Sequence, residues 1–484
     1  MKIFKKITVF FLISSILAVF FLPALAVEDP EADCGAAILA DLNTGTVIYA
    51  KNADEKMYPA SLTKVMTAIV ALDAYQNGTV KFSDTVTLTS SLYRDIGSDG
   101  SSLKFEEGER ITFEELLYCV IMTSANEPCN AIAEYVSGDI SAFIDQMNRM
   151  AQALGCTGTH FSNTHGMPDV DNYSTARDLF KILQKAMTIP QFTKISGTEE
   201  HTVPATNKAG ARKLTNTNNL IRQKNTYYYE YAKAGKTGYT DAAGYCVAAA
   251  AQKGDLSLGV VVLKAKSIIA EDGTTKVNSF LEAKRLLQWG FSNFSYRTVL
   301  STMDLVAEIP VTLGAGANTV VLRPENSITL LLENDINTNL VHLDIHLKNA
   351  DGQAARAPIV AGEILGDADV SLQGKDCGTV RLVANSSVDL DRGKFLTSQI
   401  TGTLGNRYVR LAIVFLIVLF VAYIAFIIIY NINRIRRKRA ADAVARQRIA
   451  QLRAQEDQLT TGMTFEEIEK KHAARSYDER YKRR

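Results

Sequence analysis

Residues 59–72 read Pro-Ala-Ser-Leu-Thr-Lys-Val-Met-Thr-Ala-Ile-Val-Ala-Leu, a proline followed by helix-forming and apolar residues. Proline is favoured in the first turn of a helix, so the pattern predicts a helix that opens at Ser61. Ser61 and Lys64 are three positions apart and would lie on one face of this helix. The apolar residues that follow predict burial, which disfavours the charged form of a lysine. A serine hydroxyl needs a base before it can attack a carbonyl, and the stretch places a candidate base beside it.

The Ser-x-x-Lys spacing is weak by itself, because it also occurs at Ser101 and Lys104 in a glycine- and serine-rich stretch. Two further motifs add to it. Ser124-Ala125-Asn126 and Lys236-Thr237-Gly238 each match a pattern that occurs once in the chain, and they follow Ser61 in this order. Taken singly, Ser124 could cap a helix and Lys236 could be a solvated charge at a strand edge. The ordered set of three is typical of serine enzymes that react with penicillin.

The sequence around these motifs resembles the low-molecular-mass penicillin-binding proteins that are serine-type D-alanyl-D-alanine carboxypeptidases. The resemblance is strong from about residue 33 to about residue 290. The segments that carry it are Pro59 to Lys64, His160 to Met167, Tyr173 to Leu179, Leu214 to Leu220, and Lys236 to Tyr245. It implies an α+β fold in which a serine β-lactamase/transpeptidase-like domain, an antiparallel sheet with helices, comes first.

The resemblance implies a hydrolase that removes the terminal D-alanine from peptidoglycan pentapeptide stems. Ser61 would attack the carbonyl of the penultimate D-alanine while Lys64 takes its proton, and water would hydrolyse the resulting acyl-enzyme. Ser124 would relay a proton to the departing amine, because a hydroxyl can donate and accept at once. β-Lactams would inhibit the enzyme by acylating the same serine. No cofactor and no metal is implied.

The resemblance assigns substrate binding to five further residues. Asn126 would bind a substrate amide, and Lys236 with Thr237 would bind the terminal carboxylate. Gly238 would let the strand backbone approach the ligand closely. The backbone N–H of Tyr239 would stabilise the oxyanion together with that of the nucleophile.

Two positions depart from the family pattern. The family commonly has an apolar residue before Lys-Thr-Gly and an arginine in the next strand, where this chain has Gly235 and Ser257. Carboxylate recognition would therefore depend more heavily on Lys236.

The two ends of the chain carry targeting signals. Three lysines, an apolar run over 7–22 and Ala24-Leu25-Ala26 form the parts of a signal peptide, so we expect cleavage after Ala26. Residues 411–430 are uncharged and long enough to cross a bilayer. Five basic residues follow within 434–439, which predicts a single-pass membrane protein with a cytoplasmic C-terminus and an extracytoplasmic catalytic domain.

Composition bounds the function further. The chain has 484 residues, 47% hydrophobic and 22% charged, which suits two or three globular domains with a membrane segment. The exported part carries a net charge of −9, so no nucleic-acid binding is predicted there. The six cysteines lack metal-ligand spacing and do not form an evident disulfide framework. Cys119 and Cys246 lie in apolar runs and are predicted to be buried thiols, while a disulfide among the others stays open.

The domain organisation follows from these patterns. We predict a signal peptide (1–26), a catalytic domain (27–295), a small all-β sandwich domain near the membrane (296–390), a polar stalk (391–410), a transmembrane helix (411–430) and a basic cytoplasmic tail (431–484). The β-domain matches the family in position and pattern only. The partner of the tail is unknown.

Two other functions stay open. A D,D-endopeptidase, which cleaves peptidoglycan cross-links, uses closely related chemistry. An inactive membrane scaffold with a penicillin-binding fold is the alternative from another class, and the complete set of catalytic motifs argues against it.

We predict that penicillin forms a long-lived adduct on Ser61. A class A β-lactamase uses a glutamate before the Lys-Thr-Gly strand to activate the deacylating water, whereas the loop here offers Asp169 and Asp171. Incubation of the full-length protein with penicillin should leave the adduct in place long after free drug is removed. Rapid catalytic hydrolysis of penicillin would contradict this prediction.

Overall fold

The structure, a computed structural model, describes residues 30–98, 100–269, 275–348, 354–460, 462, 464–467 and 469–471. The predicted signal peptide and the end of the tail lie outside the described residues. The helices are α1 (Thr63–Gln76), α2 (Phe113–Met122), α3 (Glu127–Ser137), α4 (Ile140–Ala153), α5 (Ala176–Met187), α6 (Pro190–Ser196), α7 (Asn278–Asn293), α8 (Arg392–Gly405) and α9 (Arg407–Thr460).

The strands run through most of the chain. In order they are β1 (Ala36–Asp41), β2 (Val47–Lys51), β3 (Thr85–Thr87), β4 (Arg110–Thr112), β5 (Glu200–Val203), β6 (Arg212–Thr215), β7 (Ala232–Thr240), β8 (Gly244–Lys253), β9 (Leu256–Ala265), β10 (Ser267–Ile269), β11 (Thr275–Val277), β12 (Phe294–Leu300), β13 (Ala307–Thr312), β14 (Thr319–Pro324), β15 (Ile328–Glu333), β16 (Val341–Leu347), β17 (Ala355–Arg356), β18 (Ile364–Leu372) and β19 (Lys375–Ala384).

A five-stranded antiparallel sheet organises the described N-terminal part of the chain, in the order β2-β1-β9-β8-β7. The strands β1 and β2 form a hairpin at one end of the sheet, and β8 pairs with β9. The Lys-Thr-Gly motif lies on β7, at one edge of the sheet. The outer edge of β7 is therefore available to an extended ligand.

Both faces of the sheet are buried, which explains why β8 and β9 are nearly continuous apolar runs. Alternate side chains of a strand point to opposite faces. In β9, Val261 and Leu263 join a core formed with α1 to α6, while Val260 and Val262 join a second core with α7. Full burial of an aliphatic side chain contributes about 1.5–3 kcal/mol to the stability of the fold, so these side chains stabilise the sheet strongly. The predicted α+β arrangement of helices on an antiparallel sheet is confirmed.

Ser61 lies in a short turn that precedes α1. Residues Ala60–Leu62 form a 3₁₀ turn, and α1 continues from Thr63. Ala60 has a φ of 47°, in the left-handed region that is unfavourable for a residue with a side chain. Lys64 in the first turn of α1 is fully buried, as its apolar surroundings predict.

The helices α2 and α3 flank the Ser124 motif. Thr112 caps α2, since its Oγ1 accepts a hydrogen bond from the Glu115 backbone N–H at 3.4 Å. Asn126, rather than Ser124, occupies the cap position of α3. The alternative interpretation of Ser124 as a helix cap is therefore wrong.

The chain divides into two compact units. One holds the residues up to 306 together with 323–348 and 366–382, and the other holds 307–322, 349–365 and 383 onward. In the first unit β12 pairs with β15 and β16 pairs with β18, both antiparallel. In the second, β13 pairs with β14 and, in parallel, with β17. Strands thus occupy the region of the predicted all-β domain, but its boundaries and its sandwich architecture stay predictions.

The described C-terminal part is helical. The predicted stalk contains α8, and the predicted membrane span 411–430 lies within α9, which continues without a break to Thr460. One helix, over 407–458, is long and apolar enough among the described residues to cross a membrane.

Gly166 makes a close contact that no other residue would allow. It lies in the loop between α4 and α5 with a φ of 87°, and a Cβ there would be 1.9 Å from the carbonyl oxygen of Ala60. We predict that Gly166→Ala lowers the free energy of unfolding by at least about 2 kcal/mol, from left-handed backbone strain and overpacking. Thermal unfolding of the full chain in detergent measures this. Gly210→Ala is the control, because that position has open space and should change stability by less than about 0.5 kcal/mol. Equal melting temperatures for the two variants would contradict the prediction.

Candidate active site

The Lys64 amine is the centre of the candidate site. Its Nζ lies 2.8 Å from Ser61 Oγ, 2.7 Å from Asn126 Oδ1 and 2.6 Å from the His165 carbonyl oxygen. A neutral amine has two N–H groups and one lone pair. The amide oxygen and the carbonyl oxygen can only accept, so they take the two N–H groups. The lone pair is left for the hydroxyl proton of Ser61.

Burial makes this neutral form accessible. Lys64 is 0% exposed, and desolvation lowers the pKa of its amine to about 8, although Cys129 and Glu127 act in the opposite direction. Water normally stabilises an ammonium ion, and the Lys64 side chain has no surface accessible to it. Lys64 therefore has a pKa suited to a general base near neutral pH.

His165 is not a second base. Burial, and next the charge of Lys64, lower the pKa of its imidazole to about 3, so the ring is neutral at physiological pH. Its Nδ1 accepts a hydrogen bond from the Met167 backbone N–H at 3.2 Å. The residue braces the loop, and its backbone carbonyl oxygen accepts a hydrogen bond from Lys64.

Strand β7 runs directly alongside the Ser61 turn. A Cβ on Gly238 would lie 3.0 Å from the Ser61 backbone nitrogen and 3.2 Å from the Pro59 carbonyl oxygen. These contacts would be tight for any side chain, so glycine favours the close approach of the two backbones. The backbone of β7 at Gly238 therefore lies next to the backbone of Ser61.

The departure at Gly235 has a structural reason. A Cβ there would lie 2.6 Å from the Ala248 carbonyl oxygen and 2.9 Å from the Asn218 side-chain amide. An apolar side chain at this position would not fit. The close packing of β7 on β8 therefore explains why this position is a glycine.

Lys236 is buried and lies beneath the cavity wall. It is 1% exposed, and its Nζ donates to the Thr237 carbonyl oxygen at 2.9 Å. Desolvation first, and then the nearby Lys64, lower the pKa of its amine well below the usual range. The alternative interpretation of Lys236 as a solvated surface charge is wrong.

A cavity of about 480 Å³ opens above these groups. Six of the eight predicted site residues line it, namely Ser61, Ser124, Asn126, Thr237, Gly238 and Tyr239. Lys64 and Lys236 lie underneath. Ser124 is strained, with a φ of 63°, and strain of this kind is often stored at functional sites.

Some lining residues were not predicted from the sequence. Thr217 belongs to a segment that carried the family resemblance, and its hydroxyl is hydrogen-bonded to that of Thr237 at 2.7 Å. A further residue near the site, Glu127, was not predicted either. It is fully buried, and its Oε1 accepts hydrogen bonds from Ser102 Oγ and from the backbone N–H of Leu103, both at 2.6 Å. Glu127, in the first turn of α3, thus anchors the loop that contains Ser102 and Leu103.

All six cysteines are among the described residues, and each is a free thiol. Cys119 and Cys246 are buried, as predicted, and burial raises the pKa of the Cys246 thiol to about 12. Cys246 borders the cavity but is held in its unreactive, protonated form.

Comparison with known proteins agrees with this geometry. A family model described as D-alanyl-D-alanine carboxypeptidase matches residues 24–267. The D-alanyl-D-alanine carboxypeptidase DacF of Bacillus subtilis (strain 168) is 29% identical over 400 residues, which cover 81% of this chain and 96% of that protein. The D-alanyl-D-alanine carboxypeptidase DacC of Escherichia coli (strain K12) is 32% identical, with 75% and 86% covered.

A solved structure extends the similarity to the fold. Penicillin-binding protein 5 from Haemophilus influenzae is 29% identical and superposes with a TM-score of 0.57, covering 75% of this chain and 100% of that chain. The family model alone matches half of the chain. The chain therefore belongs to the D-alanyl-D-alanine carboxypeptidase family of serine peptidases, peptidase family S11.

Proposed function

We propose that Ser61 is the nucleophile of a D,D-carboxypeptidase that removes the terminal D-alanine from peptidoglycan pentapeptide stems. The observation that carries this proposal is the buried Lys64 amine, 2.8 Å from Ser61 Oγ, with both of its N–H groups engaged elsewhere. Ser61 Oγ bonds to the carbonyl carbon of the penultimate D-alanine, and its proton passes to Lys64. The negative charge that develops on the carbonyl oxygen has to be stabilised at once.

The backbone N–H groups of Ser61 and Tyr239 supply that stabilisation. The close approach at Gly238 supports the assignment, because it brings the backbone of β7 next to the backbone nitrogen of Ser61. Each preorganised donor of this kind contributes about 3–4 kcal/mol to lowering the barrier.

Ser124 delivers the proton that lets the product leave. The C–N bond to the terminal D-alanine breaks when its nitrogen gains a proton, and the Ser124 hydroxyl borders the same cavity as Ser61. The acyl group remains on Ser61 as an ester. A water molecule then hydrolyses the ester and restores the serine. Asn126 contributes by holding Lys64 and, at the cavity wall, by binding the substrate amide.

The terminal carboxylate binds two positions before Tyr239 on β7, at the paired hydroxyls of Thr237 and Thr217. The preceding residue, Lys236, is buried. Because an anion favours the charged form of a neighbouring amine, an arriving carboxylate raises the pKa of Lys236 and draws a proton to it. The charge on Lys236 would therefore appear together with the substrate, at the place where it stabilises the complex.

The domain organisation completes the proposal. The signal peptide exports the catalytic domain, 27–295, which is followed in the chain by the small all-β membrane-proximal domain, 296–390. The span 411–430 anchors the enzyme by a single pass, and the basic tail, 431–484, stays in the cytoplasm. The long apolar helix α9 supports the anchoring.

β-Lactams would acylate Ser61, because a strained lactam amide occupies the place of the substrate amide.

We predict that release of D-alanine from a pentapeptide ending in D-Ala-D-Ala depends on Ser61. The full chain in detergent should release D-alanine, and Ser61→Ala should lower the rate by at least about 10³-fold because the hydroxyl that forms the acyl-enzyme is gone. Ser90→Ala is the matched control, since Ser90 is an exposed serine on another segment.

The other possible outcomes of this assay would each contradict a part of the proposal. Unchanged release by Ser61→Ala would contradict the assignment of the nucleophile. Absence of release by the wild type, with penicillin still attached to Ser61, would favour the D,D-endopeptidase. Absence of both reactions would favour the inactive scaffold.

A further inference from the structure

The active-site cavity continues beyond Ser61 to the turn that joins β7 and β8. Its wall there is aromatic, because Tyr239 and Tyr245 are partners across the two strands and their ring centres are 4.4 Å apart. The Tyr239 hydroxyl donates a hydrogen bond to Asp241 Oδ1 at 2.8 Å. Tyr239 is half exposed, so its ring and the Asp241 carboxylate both face the open end of the cavity.

Asp241 sets the charge of this end. Among the described residues that line the cavity, it is the one with a formal charge, while the two lysines of the site are buried beneath the wall. A carboxylate can accept more hydrogen bonds than the single one it receives from Tyr239. The end of the cavity therefore offers an anion next to the face of an aromatic pair, which is a favourable environment for a primary ammonium group.

The proposed function determines which part of the substrate reaches this place, and the present inference rests on it. With the terminal carboxylate at Thr237 and the reacting carbonyl at the Tyr239 N–H, the peptide extends along the free edge of β7 toward Asp241. One residue of an extended chain advances about 3.4 Å. The residue before D-Ala-D-Ala is then beside Tyr239, with its side chain within reach of Asp241.

We propose that Tyr239 and Asp241 form a specificity subsite for a free primary amine on the side chain of the residue that precedes D-Ala-D-Ala. The ammonium group pairs with the Asp241 carboxylate and lies against the Tyr239 ring. Acylation of that amine removes its charge and lengthens the side chain, so acylated peptides lose both contacts.

This subsite gives the enzyme a place in the order of reactions. Cross-linking of stem peptides converts a side-chain amine into an amide. An enzyme that selects the free amine acts on stems before a cross-linking acyl transfer has consumed that amine. It also discriminates against cross-linked peptides, which favours the carboxypeptidase over the endopeptidase.

The test uses two peptides that differ only at the amine. Nα-acetyl-L-lysyl-D-alanyl-D-alanine carries the free amine, and the Nα,Nε-diacetyl peptide does not. The full chain in detergent is assayed for D-alanine release, and the ratio of the two kcat/KM values is compared between the wild type, Asp241→Asn and Asp255→Asn. Asp255→Asn removes the same charge from an exposed turn between β8 and β9, at the other end of the sheet.

We expect the wild type and Asp255→Asn to prefer the free amine by about 5-fold, the size of effect produced by one solvent-exposed ion pair. Asp241→Asn should bring the ratio to about 1, because the amide keeps the shape of the side chain and loses its charge. Raising the salt concentration should lower the wild-type preference as well, since exposed charges are screened.

A wild-type ratio near 1 would overturn the subsite, and so would a preference that persists in Asp241→Asn. In both cases D-alanine release would leave the proposed function intact. If neither peptide is cleaved while penicillin still attaches to Ser61, the proposed function fails and this inference fails with it.

Discussion

The desolvation of one amine is the condition on which the site depends. Lys64 Nζ contacts three oxygen atoms from three segments, with Asn126 and His165 being 62 and 101 positions away in the sequence. Burial lowers its pKa, and the two acceptors orient its lone pair toward Ser61. An exposed lysine at the same distance would be charged and would have no proton-accepting capacity. The large apolar core around α1 therefore has a chemical role in addition to a stabilising one.

Close backbone contacts hold the three motifs together around this amine. Gly166 packs on Ala60 with no room for a Cβ, and Gly238 approaches Ser61 so closely that a Cβ would be a tight fit. Ala60 and Ser124, on either side of the nucleophile, have left-handed backbone conformations that cost about 1–3 kcal/mol each. Such conformations persist only where the surroundings determine them, and here the sheet and the two cores do so.

The sequence predicted best those features that depend on residue types at a fixed spacing or in a fixed order along the chain. The spacing of Ser61 and Lys64 predicted the helix, and the order of the three motifs with the sequence around them predicted the antiparallel sheet and the family. It was less informative where a role comes from tertiary contacts. The burial of Lys236 beneath Thr237 cannot be read from its neighbours in the chain, and neither can the pairing of Thr237 with Thr217. The α8 helix in the predicted stalk is amphipathic only weakly, so its pattern gave no clear signal.

The most direct test of the role of Lys64 is the rate at which penicillin acylates Ser61 as a function of pH, measured on the full chain. In the proposed mechanism the neutral amine of Lys64 is the active form, and its pKa is about 8. The account predicts a rate that is constant above that pH and falls about tenfold for each pH unit below it, because each unit reduces the neutral fraction by that factor. A rate that is independent of pH between about pH 6 and about pH 10, or one that rises as the pH falls, would contradict it.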